Sequence, residues 1–412
     1  MLPLPPKRSF NVPAAAVVYA PGSTAETLLG AFAADLAARG WRVGGLIQRT
    51  SRDSDGRKTG MELVALDTGE SVPIGQPLGS GAGGDACAVD PSAVADASAV
   101  VRRAIAARAD LVVINKFALL ESTGRGLADE MLAAMAEGLP VLTSVPTTVL
   151  AEWMRFCGNH CQLLPAEPDA LWRWWGADRM YEDLARGVGE GVARRVVIGL
   201  NWILVEGPDG VGLAQTPPRE MPGCCPVPGT YGGRPLRDLA GLLFRSWNAF
   251  DTAVGMAAVN AHYNRFDLDA EAVNGLDDVD PAAGRLVVVG AFPNVAQRLP
   301  GAVVIERVPK DGEYPEWASE FLIPGAQSVL ITASAAANRS LPRLVELARG
   351  ARVTVVGPSA TLASRLFSYG IDALSGFVVE DVEGLARVVG EAATAKTIKP
   401  YGRQVTIRRP TG

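Results

Sequence analysis

Four short runs of apolar, mostly β-branched residues near the end of the chain constrain its fold more than any other feature. They are Arg285-Leu286-Val287-Val288-Val289-Gly290, Ala302-Val303-Val304-Ile305-Glu306, Ser328-Val329-Leu330-Ile331-Thr332 and Arg352-Val353-Thr354-Val355-Val356-Gly357, with helical segments between them. Strands buried on both faces read as unbroken apolar runs, and their alternation with helices implies a parallel, doubly wound sheet. A Rossmann-like domain is therefore predicted over residues 284–412. Ligands of such sheets bind outside the carboxyl ends of the strands, at the switch point. The strand ends here carry Gly290 and Phe292, then Glu306, then Thr332 with Ser334 and Asn338, then Gly357, Pro358 and Ser359. These residues form one candidate ligand-binding rim. Glu306 could hold ribose hydroxyls, as the acidic residue after the second strand does in dinucleotide domains, or stand simply as a solvated carboxylate. The first loop lacks G-x-G-x-x-G, and Phe292-Pro293 would obstruct a pyrophosphate, which argues against NAD.

A second α/β pattern occupies residues 13–165. Ala14 to Tyr19, Val43 to Ile47, Asp110 to Asn115 and Pro140 to Thr143 read as strands alternating with helical stretches, which again implies a parallel sheet. The first strand-to-helix turn, Ala20 to Thr27, sits where a phosphate-binding loop would lie. The glycine positions of that motif hold Ala20 and Ala25, the lysine position holds Glu26, and only Thr27 conforms. A carboxylate there repels phosphate, which argues against ATP. Ser23-x-x-Glu26 also fits a capping box, in which Glu26 would turn back to the Ser23 amide.

Between the two patterns, residues 178–280 read as a small α+β lead-in domain. Asp183 to Ala193 is predicted helical, Arg195 to Val205 a single strand, Pro208-Asp209-Gly210 a tight turn and Val211 to Ala214 the returning strand. Helices are expected over Leu236–Phe244 and Phe250–Tyr263, the second rich in small residues that permit close packing. Upstream, Trp172, Trp174 and Trp175 crowd one short helix, either as an anchor or as a recognition surface.

Charge and cysteine usage narrow the functional classes. A net charge of −5 gives no nucleic-acid footprint, and no apolar stretch of about 18 residues suggests a membrane span. Five cysteines make no disulfide framework, so a reducing, cytoplasmic setting is expected. Two histidines nearly exclude a His-rich zinc enzyme. Cys157 and Cys161 would share a helix face, with His160 beside them; they read as soft metal ligands or as small core residues. Cys224-Cys225, in a Pro/Gly-rich loop, are the better metal candidates, as thiolates whose shell a substrate or partner must complete.

Two family resemblances cover nearly the whole chain. Residues 14 to about 165 resemble a family related to P-loop nucleoside-triphosphatases and often encoded near molybdate-transport genes. The segments that carry this are Gly40 to Gln48, Cys87 to Pro91, and Asn115-Lys116-Phe117 leading to Glu121 and Gly124 to Leu127. Asn115 stands where active relatives carry a Mg²⁺-coordinating Asp. Residues 180–412 resemble the heavy-metal chelation family, through Ser246-Trp247-Asn248, Gly255 to Ala261, Val289 to Pro293, Leu330 to Thr332, Asn338-Arg339-Ser340, Val355 to Ser359, and Gly370 through Ser375-Gly376. That resemblance implies a lead-in domain similar to the N-terminal domain of enolase, covering the strand-end rim and leaving a cleft. It also implies that Asn248 and Asn260 approach Thr332, Asn338 and Ser359.

The leading functional expectation is a non-hydrolytic protein that handles a transition metal, an oxyanion or a metal-containing cofactor in that cleft. The alternatives are a transferase or lyase acting on a nucleoside-like or tetrapyrrole molecule, and an assembly scaffold. Expected partners are the small-molecule or metal ligand, a protein docked through the N-terminal domain or the Trp172–Trp175 segment, and a second copy of the chain.

Overall fold

The computed structural model describes residues 14–20, 23, 25–55, 58–74, 91–218, 224–277, 279 and 284–410. Gly22, Thr24, Cys87 to Asp90 and Met221 to Gly223, to which sequence expectations were attached, lie outside the described residues. The chain divides between Trp174 and Trp175 into two compact units.

The first unit is built on a seven-stranded sheet of β1 (Ala14–Tyr19), β2 (Val43–Arg52), β3 (Lys58–Ala65), β4 (Ser71–Pro73), β5 (Leu111–Ile114), β6 (Val141–Pro146) and β7 (Gln162–Leu164), in the order β4-β3-β2-β5-β6-β1-β7. The strands from β2 to β7 in that order are parallel, while β3 and β4 extend the edge antiparallel. β2 runs well past the expected Ile47 because β3 pairs with it from Leu46↔Ala65 out to Ser51↔Gly60. Apolar residues of the parallel strands are buried on both faces, with Phe117 meeting Trp153 edge-on at 5.1 Å in the core.

The expected capping box at the first helix does not form. The helix Glu26–Ala38 starts from Ala25 with no side-chain cap, and the Ser23 hydroxyl donates instead to the Ala20 carbonyl, at 2.8 Å. Glu26 is drawn sideways to β2, where its carboxylate accepts from Gln48 Nε2 at 3.1 Å and Thr50 Oγ1 at 3.4 Å. The three tryptophans of the helix Pro168–Trp175 are at most 8% exposed. A recognition surface on them is thereby corrected: Trp172 meets Phe32 edge-on and carries Arg39 over its ring, so its faces are already covered.

The second unit holds two sheets. β8 (Arg195–Ile198), β9 (Trp202–Glu206) and β10 (Val211–Gln215) form an antiparallel meander. The single strand expected over Arg195–Val205 is in fact two, folded back at Gly199-Leu200-Asn201. Gly199 permits the turn to press against the helix Val382–Gly390, since a Cβ there would lie 2.2 Å from the Val389 carbonyl oxygen. Asn201 fixes the turn by donating to the Ala392 and Ala393 carbonyls. The helix expected over Asp183–Ala193 is also displaced. It spans Met180–Arg186 and stops at Gly187, where any Cβ would collide with Tyr263 and Arg365.

Helices Leu236–Arg245 and Ala249–Tyr263 match the expectation to within a residue at each end. Their small residues act as predicted. A Cβ at Gly255 would stand 2.5 Å from the Leu243 nitrogen, and one at Gly212 of β10 would stand 1.9 Å from the Ala257 carbonyl oxygen. Backbone therefore packs on backbone, and the second helix is buried along almost its full length.

The larger sheet contains β11 (Leu286–Val289), β12 (Val303–Glu306), β13 (Tyr314–Pro315), β14 (Ser328–Thr332), β15 (Arg352–Val356), β16 (Ala373–Val379) and β17 (Gly402–Arg408), in the order β13-β12-β11-β14-β15-β16-β17. All pairs are parallel except β16–β17. From β11 the chain winds outward to β12 and β13, then returns to β14 on the other side. The topological switch point therefore lies between β11 and β14. The meander domain and this sheet belong to one compact unit. Buried asparagines join them. Asn260 donates to Leu213 O (2.8 Å) and Ser359 O (2.9 Å) and accepts from Thr361 Oγ1 (2.6 Å), while Asn264 donates to Ala360 O and accepts from Leu362 N.

Candidate functional site

Parallel strands expose unpaired backbone groups at their carboxyl ends, and a switch point splays the loops that follow them apart. A cavity of about 330 Å³ opens at that place in the second unit. Its floor is Val289-Gly290-Ala291 after β11, Ile305-Glu306-Arg307 at the end of β12, and Thr332 with Ser334 and Ala335 after β14. Its other wall comes from the meander domain: Gln215 to Pro218 after β10, Trp247, and Ala249, Thr252 and Ala253 at the start of the long helix. Gly290 is required at the floor. Its φ is +105°, and a Cβ there would lie 2.3 Å from Thr332 Cγ2.

Of the predicted rim, the structure brings Gly290, Glu306, Thr332, Ser334 and Asn338 together on the cavity lining. The rest stand elsewhere. Phe292 packs onto the apolar cluster of Leu276, Val288 and Leu330. Gly357, Pro358 and Ser359 follow β15, which lies beyond the switch point and under the meander domain. Ser359 is buried there, with its carbonyl engaged by Asn260. Asn260 does approach Ser359, as the resemblance implied, but both its amide hydrogens go to backbone carbonyls, which makes it a clamp between domains and not a ligand contact. Asn248 caps the long helix, accepting from Phe250 N and Asp251 N, and its amide donates to the Cys224 carbonyl at 3.3 Å.

Neither cysteine of the 224–225 pair lines the cavity; Cys224 is exposed and Cys225 half-buried. Near them Tyr231 donates to Asp251 Oδ1 at 2.7 Å, and burial, with Asp251 beside it, pushes its phenol far above the ordinary range. Among the described residues no group of three His, Cys, Asp or Glu side chains could hold a metal ion. Cys157 and Cys161 pack against the core of the first unit, and burial drives both thiols upward in pKa, away from the thiolate form that binds metals. The Cys157–Cys161 pair with His160 is thus a corrected expectation; His160 is exposed after the helix ends at Cys157.

The principal residue that sequence reasoning passed over is Arg339. It lines the cavity with a φ of +68°, a strained region for a residue with a Cβ. Its Nη2 donates to Leu243 O (2.8 Å), Ser246 O (2.6 Å) and Thr252 Oγ1 (3.3 Å), and its guanidinium stands 5.0 Å from the Trp247 ring centre. Burial lowers its pKa, opposed by Tyr181. Its triplet with Asn338 and Ser340 marked a family but gave no role, since every one of those partners is distant in sequence.

In the first unit the strand-end groups bond to one another. Asn115, at the end of β5, is buried and accepts from Ser144 Oγ at 2.6 Å, although its Nδ2 finds no partner among the described residues. Glu121 accepts from the backbone amides of Ala118 and Leu127, and burial raises its pKa. Tyr19, at the end of β1, is pushed up to about 12 by burial and by Glu26.

The fold defines a two-unit α/β protein whose second unit has a cavity at the strand ends of its larger sheet. Residues 181–263 and 276–408 each match a family model described as "Putative heavy-metal chelation", and residues 14–174 match a protein family of unknown function (DUF2478). A crystal structure of a DUF364-family protein of unknown function from Desulfitobacterium hafniense is 32% identical, with a TM-score of 0.51, and the match covers 98% of that protein and 57% of this chain. The chain belongs to the DUF364 family. Another member, from Pyrococcus horikoshii, is 19% identical with a TM-score of 0.48 over 98% of its length and 57% of this chain. The N-terminal part is similar to the molybdenum import ATP-binding protein ModC 2 of Bradyrhizobium diazoefficiens, 45% identical over 161 residues; the match is 39% of this chain and only 18% of that relative.

Among the described residues no helix is long and apolar enough to cross a membrane.

Proposed function

We propose that the chain binds a metal species or a metal-containing small molecule in the cavity between β11, β12, β14 and the meander domain. The first unit then serves as a non-hydrolytic, nucleotide-fold partner domain. One observation carries this reading: a cavity of about 330 Å³ sits at the switch point of a parallel sheet, with Gly290, Glu306, Thr332 and Asn338 on its lining. Its volume suits a small ligand and is too generous for a lone ion. The descriptions of the two matched family models support a metal as part of the ligand, and the ModC-like N-terminal sequence is compatible with a setting of molybdate supply. Glu26 at the lysine position supports the absence of hydrolysis, because its carboxylate would repel a nucleotide's phosphates. The exposed Cys224 thiol and its neighbour Cys225 are available to complete a metal's shell from the adjoining loop.

Isothermal titration of the full chain with molybdate, tungstate, nickel, cobalt and copper(I) tests the reading. Binding of at least one of them is expected; no affinity tighter than about 1 mM for any would end it.

A further inference from the structure

We propose that the cavity takes its ligand as an anion, either an inorganic oxyanion or an organic chelator presented through a carboxylate, and that Arg339 holds that anion. This inference rests on the reading that the cavity binds a metal species, and it specifies the form in which the metal arrives.

The charge of Arg339 has no balancing carboxylate among the described residues. The three acceptors of Arg339 are two carbonyls and a hydroxyl, all neutral, and Trp247 offers only its ring. Among the described residues no carboxylate pairs with it. Among the described residues Tyr181 is the acidic group that acts on it, and burial keeps that phenol protonated far above neutral pH. Arg365 in the same unit shows the usual solution, since its guanidinium meets the buried Asp183 carboxylate at 3.1 Å. A half-buried cation without a counterion is costly unless a ligand supplies one. Nε and Nη1 of Arg339 have no acceptor among the described residues, and charge-assisted bonds from a guanidinium fork suit a planar carboxylate or a tetrahedral oxyanion. Thr332 and Ser334, whose hydroxyls lie 3.2 Å apart, line the same cavity and can donate to the same anion. A bare divalent cation would meet Glu306 and Glu316 on the lining but also Arg339 and Arg307, and among the described residues no group of three His, Cys, Asp or Glu side chains could coordinate it.

The test titrates the full chain, at low salt, with sodium molybdate, sodium phosphate, citrate and nickel chloride, in the wild type and in two variants. Arg339→Gln removes the charge. Asn338→Asp adds a carboxylate to the lining while keeping the acceptor that receives the Ser340 amide and hydroxyl, so it should fold even where the arginine variant does not. The wild type is expected to bind at least one anion, molybdate or phosphate if the source is inorganic and citrate if it is a chelator. Arg339→Gln should weaken that binding by roughly ten- to a hundredfold, and Asn338→Asp by several-fold. Anion affinity unchanged in both variants would overturn the proposal. Nickel binding with none of the anions would also overturn it and leave the cavity reading standing, whereas binding of no probe would remove both.

Discussion

At the ends of β1 and β11 the chain makes the same move, from a buried parallel strand into a loop that leads to a helix, and the two outcomes differ. After β1, Glu26 is engaged with Gln48 and Thr50 and Ser23 with Ala20; at the end of β5, Asn115 accepts from Ser144, while its Nδ2 has no partner among the described residues. After β11, a cavity opens whose lining includes a cation with no carboxylate partner among the described residues. A parallel sheet therefore supplies a place for a ligand at its strand ends, but what decides whether that place is open is whether the protein's own side chains already satisfy one another there. The second unit keeps its strand ends open because another domain forms one wall of the cavity.

The largest expected effect tests that wall. Gly212→Val would drive β10 into the long helix, whose Ala257 carbonyl oxygen would lie 1.9 Å from the first added atom. A loss of about 3 kcal/mol is expected by urea denaturation, together with loss of ligand binding. Binding that survives the loss of the meander domain's packing would break the comparison, since the sheet alone would then make the site.

A slightly smaller effect locates the ligand. At a hundredfold excess over its dissociation constant, a ligand that binds only the folded state stabilises by about 2.7 kcal/mol. Hydrogen exchange should show that protection around Gly290, Thr332 and Arg339 and none around Tyr19 or Asn115. Protection appearing at the β1 turn would reverse the assignment of open and closed strand ends.

Glu26→Lys sharpens the other side. It removes an acceptor from Gln48 and Thr50 and places a cation at a helix N-terminus, at an expected cost of about 1–2 kcal/mol in denaturation experiments. If the variant instead gains ATP binding with no loss of stability, one charge alone separates the turn from a nucleotide site.

The smallest effect is a pH dependence of the second unit. Burial, with Arg265 nearby, lowers the pKa of His262, so the folded unit holds it neutral. As pH falls below about 6.5, unfolded chains take up this proton before folded ones do, and stability declines until the folded group's lower pKa is passed. His262→Gln should flatten that part of the curve; an unchanged slope would place the acid sensitivity elsewhere.

Much of the architecture was legible in the residues. The apolar runs of both sheets are strands, and Gly255 and its small neighbours do let two helices touch. The misreadings have local causes. Arg195 to Val205 looks continuous because every residue but Gly199 and Asn201 suits a strand, and the fold-back there depends on Val389 and Ala392 across the unit. Ser23 and Glu26 have capping-box spacing, yet Gln48 and Thr50 compete for the carboxylate from another strand. Among site residues, Gly290, Glu306, Thr332 and Asn338 followed from strand ends alone. Ser359 and Gly357 met the same rule and fell on the wrong side of the switch point, because strand order is not written in any one strand.

By itself the sequence determined that two parallel sheets form, that the first lacks the lysine of a phosphate loop, and that no long apolar helix or histidine cluster is available. Those properties follow from local period and residue type. Tertiary structure alone decided which strand ends share a cavity and that Arg339 faces it with no carboxylate partner among the described residues, its acceptors lying 96 and 93 residues away at Leu243 and Ser246. The physical reason is that the field at a charge is set by whatever the fold brings beside it, and those neighbours come from segments whose order along the chain says nothing of their distance in space.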